Sequence, residues 1–254
     1  MVNSNIAFKQ GADALQIGFR DGSDPLEIQW YDLRDALRLN SPSYVGYFDH
    51  FLGDLLRDEW ATDLSTGATI ATGSLEGGQA VFTLDTDDND HATLALGLHW
   101  LVSNGGMFLE VAVKQITAIT LRAVEVGFSD ALSETNGLAF SGFATPTAVA
   151  TDAAVFHYNT DDSMTTWGAI SVNGGGTPQA TTLTGAPSTS FSKLKLMVDS
   201  AGVAKFFVDG TLEATHSAAV ATTGLLTPWI TLKSLSAAAK VMHVDYVSVS
   251  GLRG

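Results

Sequence analysis

The sequence predicts an all-β protein: a two-sheet antiparallel sandwich preceded by an N-terminal arm with one amphipathic helix. Three runs rich in β-forming residues, at 206–212, 226–232 and 244–249, carry this prediction. Asp209-Gly210 stands between apolar residues in the first run, and this pair is a two-residue hairpin signal. The composition agrees, because 45% of the residues are hydrophobic and only 16% are charged, which is typical of short strands joined by small-residue turns.

Residues 1–43 differ from the rest and are predicted to form a separate arm. Asp24-Pro25 followed by Glu27 is typical of a helix start, with an N-cap, a proline at the first helical position and a capping acid. The residues before it, Val2–Gly22, are predicted to form an extended strap. One face of the helix is apolar: Leu26, Trp30, Leu33 and Leu37. Because a helix of about fifteen residues is marginal alone, we expect this face to bind a partner.

From residue 44 to residue 254 short apolar runs alternate with turns, which predicts one sandwich domain. The spacing of the runs is that of a sandwich rather than of alternating strands and helices. The predicted strands are Gln79–Asp85, His91–His99, Met107–Val113, Ala118–Phe128, Gly137–Phe143, Ala154–Tyr158, Thr166–Val172, Lys193–Asp199, Lys205–Val208, Leu212–His216, Trp229–Leu232 and Val241–Val249.

The apolar phase of each run predicts which side chains face the core. The inward set is Phe82, Leu94, Leu96, Phe108, Val111, Phe156, Leu196, Val198, Phe207, Ile230 and Val247. Four tryptophans in or beside strands are also expected to fill the sandwich core: Trp60, Trp100, Trp167 and Trp229. The histidines are expected to be structural, since no two lie at metal-binding spacing on a common face.

Three segments of the body are similar to one known family. They are the aromatic run 47–51 followed by Trp60, the segment 156–174 with its Asp-rich turn, tryptophan and glycine turn, and the terminal segment 206–249. Together they resemble the concanavalin-like (laminin-G-like) jelly-roll modules, most of all those of tailed-phage virion proteins. The resemblance covers about residues 44–250 and implies a lectin-like jelly roll.

The resemblance also implies a function. The first expectation is a non-enzymatic phage virion protein, of the capsid decoration or head-fibre kind, that docks through its arm on the major capsid protein or another virion protein. It would form a homo-oligomer, with a trimer favoured. The alternative is a carbohydrate-binding, lectin-like or receptor-binding module that binds glycans through loops at one end or a concave sheet face. A third reading, ranked lower, is a polysaccharide hydrolase or lyase with an unrecognised site.

Charge and composition exclude several classes of partner. Thirteen Lys and Arg against 27 Asp and Glu give a formal net charge of −14, which repels nucleic acid. The chain has no cysteine, so disulfides and thiolate metal sites are excluded. Its apolar runs are too short for a membrane span, and Met1–Gln10 lacks the pattern of a secretion signal. We therefore expect a protein made in the host cytoplasm and located on the virion surface.

One acidic turn is a candidate metal site. Asp85, Asp87 and Asn89 place oxygen ligands at alternate positions between two apolar strands, as at the start of a calcium loop. The match then fails, because Asp90 replaces the required glycine and Leu96 the final glutamate. A solvated hairpin tip is the competing interpretation. Calcium is the only cofactor that the sequence suggests.

Catalytic residues are not expected. Glycoside hydrolysis needs two carboxylates at a controlled separation, and hydrolases of the concanavalin-like fold carry alternate acids on one strand. Glu110 and Glu125 each stand alone on a predicted strand, and both are expected to be ordinary outward-facing residues. Their replacement by glutamine is therefore predicted to change stability very little.

Overall fold

The computed structural model describes residues 7–11, 14–18, 44–53, 55–72, 78–97, 100–104, 106–115, 120–134 and 137–252. Contacts divide the chain into two units, Met1–Pro42 and Ser43–Gly254. The predicted helix with Leu26, Trp30, Leu33 and Leu37 lies outside the described residues. Within them there is no helix long and apolar enough to cross a membrane.

The first unit contains an antiparallel hairpin of strand β1, Ala7–Gly11, and strand β2, Ala14–Gly18. Both strands lie within Val2–Gly22, the segment that is predicted to lie along a partner as an extended strap. Only two residues separate them, a spacing that favours a tight hairpin over an open lead.

The second unit begins with β3 and ends with β20. Its strands are β3 Tyr44–Asp49, β4 Ala61–Leu64, β5 Thr69–Ala71, β6 Ala80–Leu84, β7 His91–Ala95, β8 Trp100–Leu101, β9 Met107–Gln115, β10 Arg122–Ser129, β11 Phe140–Ser141, β12 Thr147–Ala148, β13 Ala153–Asn159, β14 Gly168–Val172, β15 Gln179–Thr182, β16 Ser192–Val198, β17 Ala204–Val208, β18 Thr211–His216, β19 Leu225–Ser234 and β20 Lys240–Leu252. A single 3-10 turn, Val102–Asn104, is the helical element of the described part of this unit.

Sixteen of these strands form two eight-stranded antiparallel sheets, and β11 and β12 pair separately as a two-stranded sheet. Sheet 1 has the order β18-β17-β16-β9-β20-β6-β5, with β3 also paired to β20. Sheet 2 has the order β15-β14-β13-β10-β19-β7-β4, with β8 also paired to β19. The predicted all-β sandwich is confirmed.

The hairpin predicted at Asp209-Gly210 is confirmed and joins β17 to β18. Both residues have positive φ, 48° and 84°, as a two-residue primed turn requires. Asp209 also fixes the turn on the neighbouring strand, because its Oδ1 atom accepts a hydrogen bond from the Lys193 backbone N–H at 2.8 Å.

The main core lies between the two sheets. Phe156 of sheet 2 meets Phe206 of sheet 1 edge to face, with ring centroids 5.3 Å apart. Most of the predicted inward set is confirmed as buried in this core: Phe82, Leu94, Leu96, Val111, Phe156, Leu196, Val198, Ile230 and Val247, together with Trp60, Trp100 and Trp167.

The prediction that Phe108 and Phe207 face the core is wrong. Leu109 and Val111 of β9 are buried, so the pleat turns Phe108 to the other face. Phe206 and Val208 of β17 are buried in the same way, and Phe207 points outwards, half-buried. Both rings were predicted to face inwards because they are apolar. The alternation of side chains along each strand decides instead which face they lie on.

The prediction of a strand over Gly137–Phe143 is also wrong in extent. Only Phe140–Ser141 is extended there, paired with Thr147–Ala148. Gly142 has a φ of +78°, a left-handed conformation that ends the strand.

Candidate functional site

The outer faces of the two sheets differ in their exposure to solvent. In sheet 1, β16 and β17 alternate between buried and accessible residues, which leaves one face open. In sheet 2, every residue of β10, β13 and β14 is buried. Continuous burial means that both faces of a strand are covered. The open face of sheet 1 is therefore the candidate binding surface.

The strand register places one row of side chains across this open face. Pairing runs from Phe48 of β3 to β20, then to β9, β16 and β17. The row reads Phe48, Ser248, Glu110, Lys195 and Phe207. Directly opposed residues in antiparallel strands share a face, so an acid and a lysine lie between two aromatic rings.

Lys195 is held by aromatic rings at the centre of the face. Its Nζ atom lies 5.3 Å from the ring centroid of Phe108 and 5.2 Å from that of Phe207. These distances are within the range of cation–π attraction. Met197, the register partner of Phe108, is 40% exposed and extends the apolar surface.

Glu110 is oriented from the other side by Tyr246, whose hydroxyl donates a hydrogen bond of 2.6 Å to Glu110 Oε1. Burial, and then the Glu110 carboxylate, raise the pKa of Tyr246 well above its usual range, so the phenol remains a donor. The Tyr246 ring stacks on Phe48 at 5.9 Å. We call the surface formed by Phe48, Phe108, Phe207 and Tyr246, with Glu110 and Lys195 between them, the aromatic platform.

A buried carboxylate anchors the edge of this platform. Asp49, next to Phe48, is only 2% exposed and accepts hydrogen bonds of 2.8 Å from the Phe51 backbone N–H and from Trp60 Nε1. Arg57 Nε lies 3.6 Å from the same carboxylate. These contacts fix the end of β3 and hence the direction of Phe48.

The outer face of sheet 2 is covered by the protein's own chain. Phe140 and Ala150 pack with Ile170 and Trp229 in a second hydrophobic cluster. Trp229 is completely buried, but in this cluster rather than between the sheets, so its predicted place in the sandwich core is wrong. Its neighbour Ile230 faces the main core, which follows from strand alternation.

Glu125 lies beneath this covering segment and is completely buried. Its Oε2 atom accepts hydrogen bonds from the Ala139 backbone N–H at 2.7 Å and from Trp229 Nε1 at 3.1 Å. Its Oε1 atom accepts from the Phe140 N–H at 3.0 Å and pairs with His157 Nδ1 at 3.0 Å. The prediction that Glu125 is an ordinary outward-facing residue is wrong, because sequence pattern could not reveal the segment that covers it.

The immediate neighbours of the two glutamates can be compared with the paired carboxylates of glycoside hydrolases. The two carboxylate oxygens of Glu125 interact with four hydrogen-bond donors, and the side chain has no contact with solvent. Glu110 has Phe108 and Ala112 at the alternate positions of its strand and Ser248 and Lys195 opposite it. These neighbouring positions therefore hold no second carboxylate to act with Glu110 as acid or base.

Ser171 and His216 form a buried hydrogen-bonded pair, the same combination of hydroxyl and imidazole that serves as nucleophile and base in serine hydrolases. His216 Nδ1 lies 2.8 Å from Ser171 Oγ, and its Nε2 lies 3.0 Å from Thr181 Oγ1. Ser171 is completely buried, and burial lowers the pKa of His216. A substrate cannot reach this hydroxyl, so the contact ties β14 and β15 of sheet 2 to β18 of sheet 1.

The acidic turn between β6 and β7 gathers three carboxylates. One oxygen each from Asp85, Asp87 and Asp90 lie within 4.8 Å of one another. Asn89, which the sequence pattern included with Asp85 and Asp87, is exposed and has a φ of +68°. Burial, and then Asp85, raise the pKa of Asp90, while the hydrogen bond with Asp90 lowers that of Asp85.

Similarity to known proteins lies in the fold. No protein family model matches the chain, and no curated protein sequence is similar to it. The carbohydrate recognition domain of Emp47p is similar in structure, with a TM-score of 0.57 and 13% identity over 82% of this chain and 95% of that one. A Bacteroides ovatus family GH16 protein, in complex with a G4G4G3G product, gives 0.55 and 8% over 80% and 99%.

A protein of unknown function from Shewanella oneidensis MR-1, SO2946, gives a TM-score of 0.52 and 13% identity over 91% of this chain and 97% of that one. At such identities the likeness concerns architecture alone. The chain thus shares the two-sheet jelly-roll fold of these proteins.

Proposed function

We propose that the protein is a non-enzymatic, lectin-like module that binds polysaccharide on the aromatic platform. The observation that carries this proposal is the open face of sheet 1, where aromatic rings surround Glu110 and Lys195. Exposed apolar surface bordered by polar groups is typical of a binding site.

The chemistry of the platform suits a sugar. The C–H groups of a pyranose carry partial positive charge and pack against the negative face of an aromatic ring. The Glu110 carboxylate accepts hydrogen bonds from sugar hydroxyls, and the Lys195 ammonium donates to them. A row of alternating rings and polar groups fits a chain of sugar units better than a single small ligand.

The structural neighbours support the same class of ligand, since one is named as a carbohydrate recognition domain and another was solved with an oligosaccharide product. Absence of catalysis is supported by the four donors that occupy Glu125 and by the non-acidic neighbours of Glu110.

The test is binding of the full chain to mixed-linkage β-glucan, xylan, chitin and bacterial capsular polysaccharides, followed by affinity measurement on whichever binds. Phe108→Ala and Phe207→Ala should each weaken binding about tenfold, the loss expected for a stacked ring worth about 1.4 kcal/mol. Leu225→Ala is the matched control, because Leu225 is 47% exposed and lies on sheet 2.

Two results would overturn the proposal. One is binding to none of these polysaccharides. The other is release of reducing sugar that Glu110→Gln abolishes, which would assign a hydrolase instead.

We further propose that residues 1–43 attach this module to a virion protein or to sister subunits. Support comes from the division of contacts at Pro42 and Ser43, which suits an attachment element separate from the sandwich, and from the family resemblance of the sequence.

A further inference from the structure

We propose that Asp85, Asp87 and Asp90 form a calcium site at the turn between β6 and β7, independent of the aromatic platform. The three carboxylates each offer one oxygen within 4.8 Å of the others. Two oxygens on opposite sides of a calcium ion are about 4.6 to 5.2 Å apart, so one ion can bridge this group.

The second observation is the state of Asp90. Its side chain is only 7% exposed. Its Oδ2 atom is buried and accepts no hydrogen bond from the described part of the chain, while the carboxyl group as a whole interacts with the side chains of Asp85 and Ser65. A buried carboxylate oxygen without a donor is costly unless a cation or another group binds it. Because this carboxylate belongs to the three-oxygen group, a cation there supplies the missing partner.

The lysine that acts on this turn, Lys233, interacts with the charge of Asp88, which lies outside the three-carboxylate group. The ion pairs found among the described residues involve Asp49, Asp63 and Glu125 rather than this group. The Asp85 carboxylate instead packs on Gly67 of the β4–β5 turn, where an added Cβ would lie 1.9 Å from Asp85 Oδ2. Glycine at position 67, with a φ of +85°, allows the Asp85 carboxylate to approach this closely.

The donor set indicates the ion. Carboxylate oxygens without nitrogen or sulfur ligands suit a hard cation rather than zinc or copper. Mg²⁺ needs short bonds of about 2.0 to 2.1 Å in near-ideal octahedral geometry, whereas Ca²⁺ accepts longer bonds in irregular sites. A turn with three carboxylates and no imposed octahedral geometry therefore favours Ca²⁺.

The bound ion would also join two turns. Ser65 Oγ accepts a hydrogen bond of 2.9 Å from the His91 N–H, and the Ser65 N–H donates one of 3.0 Å to the His91 carbonyl. The β4–β5 turn is thus already tied to the end of the acidic turn. Calcium would hold the other end through Asp85, which predicts a stabilising effect.

The experiment uses the full chain freed of metal by chelation, in buffer of physiological ionic strength. Calcium titration by calorimetry should give one site per chain, and the melting temperature should rise with calcium and fall with chelator. Asp90→Asn should weaken calcium binding at least tenfold. Asp88→Asn is the matched control: it removes the same charge from the same turn, outside the group, and should change affinity less than threefold.

Several results would overturn the site. They are no calcium-dependent heat and no melting shift, equal losses in Asp90→Asn and Asp88→Asn, or equally tight binding of magnesium. The metal-free melting temperature of each variant shows whether it folds. If Asp90→Asn does not fold, Asp87→Asn, at an exposed position, takes its place with the same expected loss.

Discussion

Replacing Glu125 with glutamine tests the reasoning about the covered face of sheet 2. The change keeps the shape of the side chain but converts one carboxylate oxygen into an NH2 group. The carboxylate accepts from two backbone N–H groups, an indole and an imidazole. The glutamine carbonyl can serve only one of these two pairs of donors.

The magnitude follows from the donors that lose their acceptor. If the carbonyl stays with Phe140 and His157, the N–H groups of Ala139 and Trp229 face the new NH2 group. Each buried donor left without an acceptor costs about 1 to 3 kcal/mol, so Glu125→Gln should lower the free energy of unfolding by about 2 to 6 kcal/mol. For a domain of this size, the melting temperature should fall by about 5 to 20 °C.

The assay is thermal and urea denaturation followed by circular dichroism, with limited proteolysis of residues 137–150. Glu110→Gln is the control, because it makes the same chemical change on the open face and should cost no more than about 1 kcal/mol. If Glu125→Gln matches wild type within about 1 kcal/mol, with no new cleavage in the segment, the carboxylate does not hold it and the reasoning fails.

Three further predictions concern other parts of the chain. Burial raises the pKa of Glu134 to about 7, so its neutral form favours folding and stability falls as pH rises from the unfolded pKa through 7. Glu134→Gln should remove about 1 kcal/mol of this pH-dependent loss after allowance for solvent screening. If the melting temperatures of wild type and variant change by the same amount between pH 5 and pH 8, this prediction is contradicted. Gly127→Ala would put a Cβ 2.2 Å from the Ala154 carbonyl oxygen and should cost more than about 3 kcal/mol, so a wild-type urea midpoint would refute the strand spacing. Deleting residues 1–43 should leave a cooperatively melting sandwich that no longer assembles, and Trp30→Ala should weaken attachment by about 2 kcal/mol; unfolding of the truncated chain would instead place the arm in the core.

Much of the fold could be predicted because it depends on local pattern. Alternating apolar residues predicted the strands, and Asp209-Gly210 predicted its hairpin, since turn geometry depends on the two residues themselves. The platform could also have been found in the sequence. Phe108 is two residues from Glu110, which was expected to face outwards, and three residues from Val111, which was expected to face inwards. Strand alternation therefore predicts that Phe108 faces outwards, and its hydrophobicity led to the opposite prediction.

By itself, the sequence determined the sandwich class, the long runs of strand and the acidic character of the turn at 85–90. Only the tertiary structure decided which sheet face is open, because the segment that covers Glu125 begins fourteen residues further along the chain and its path over the sheet depends on tertiary contacts. The same holds for the acidic turn. The left-handed backbone at Asn89 precedes Asp90, and Asp90, at the sixth position of the turn, joins Asp85 and Asp87 in the carboxylate group in place of Asn89.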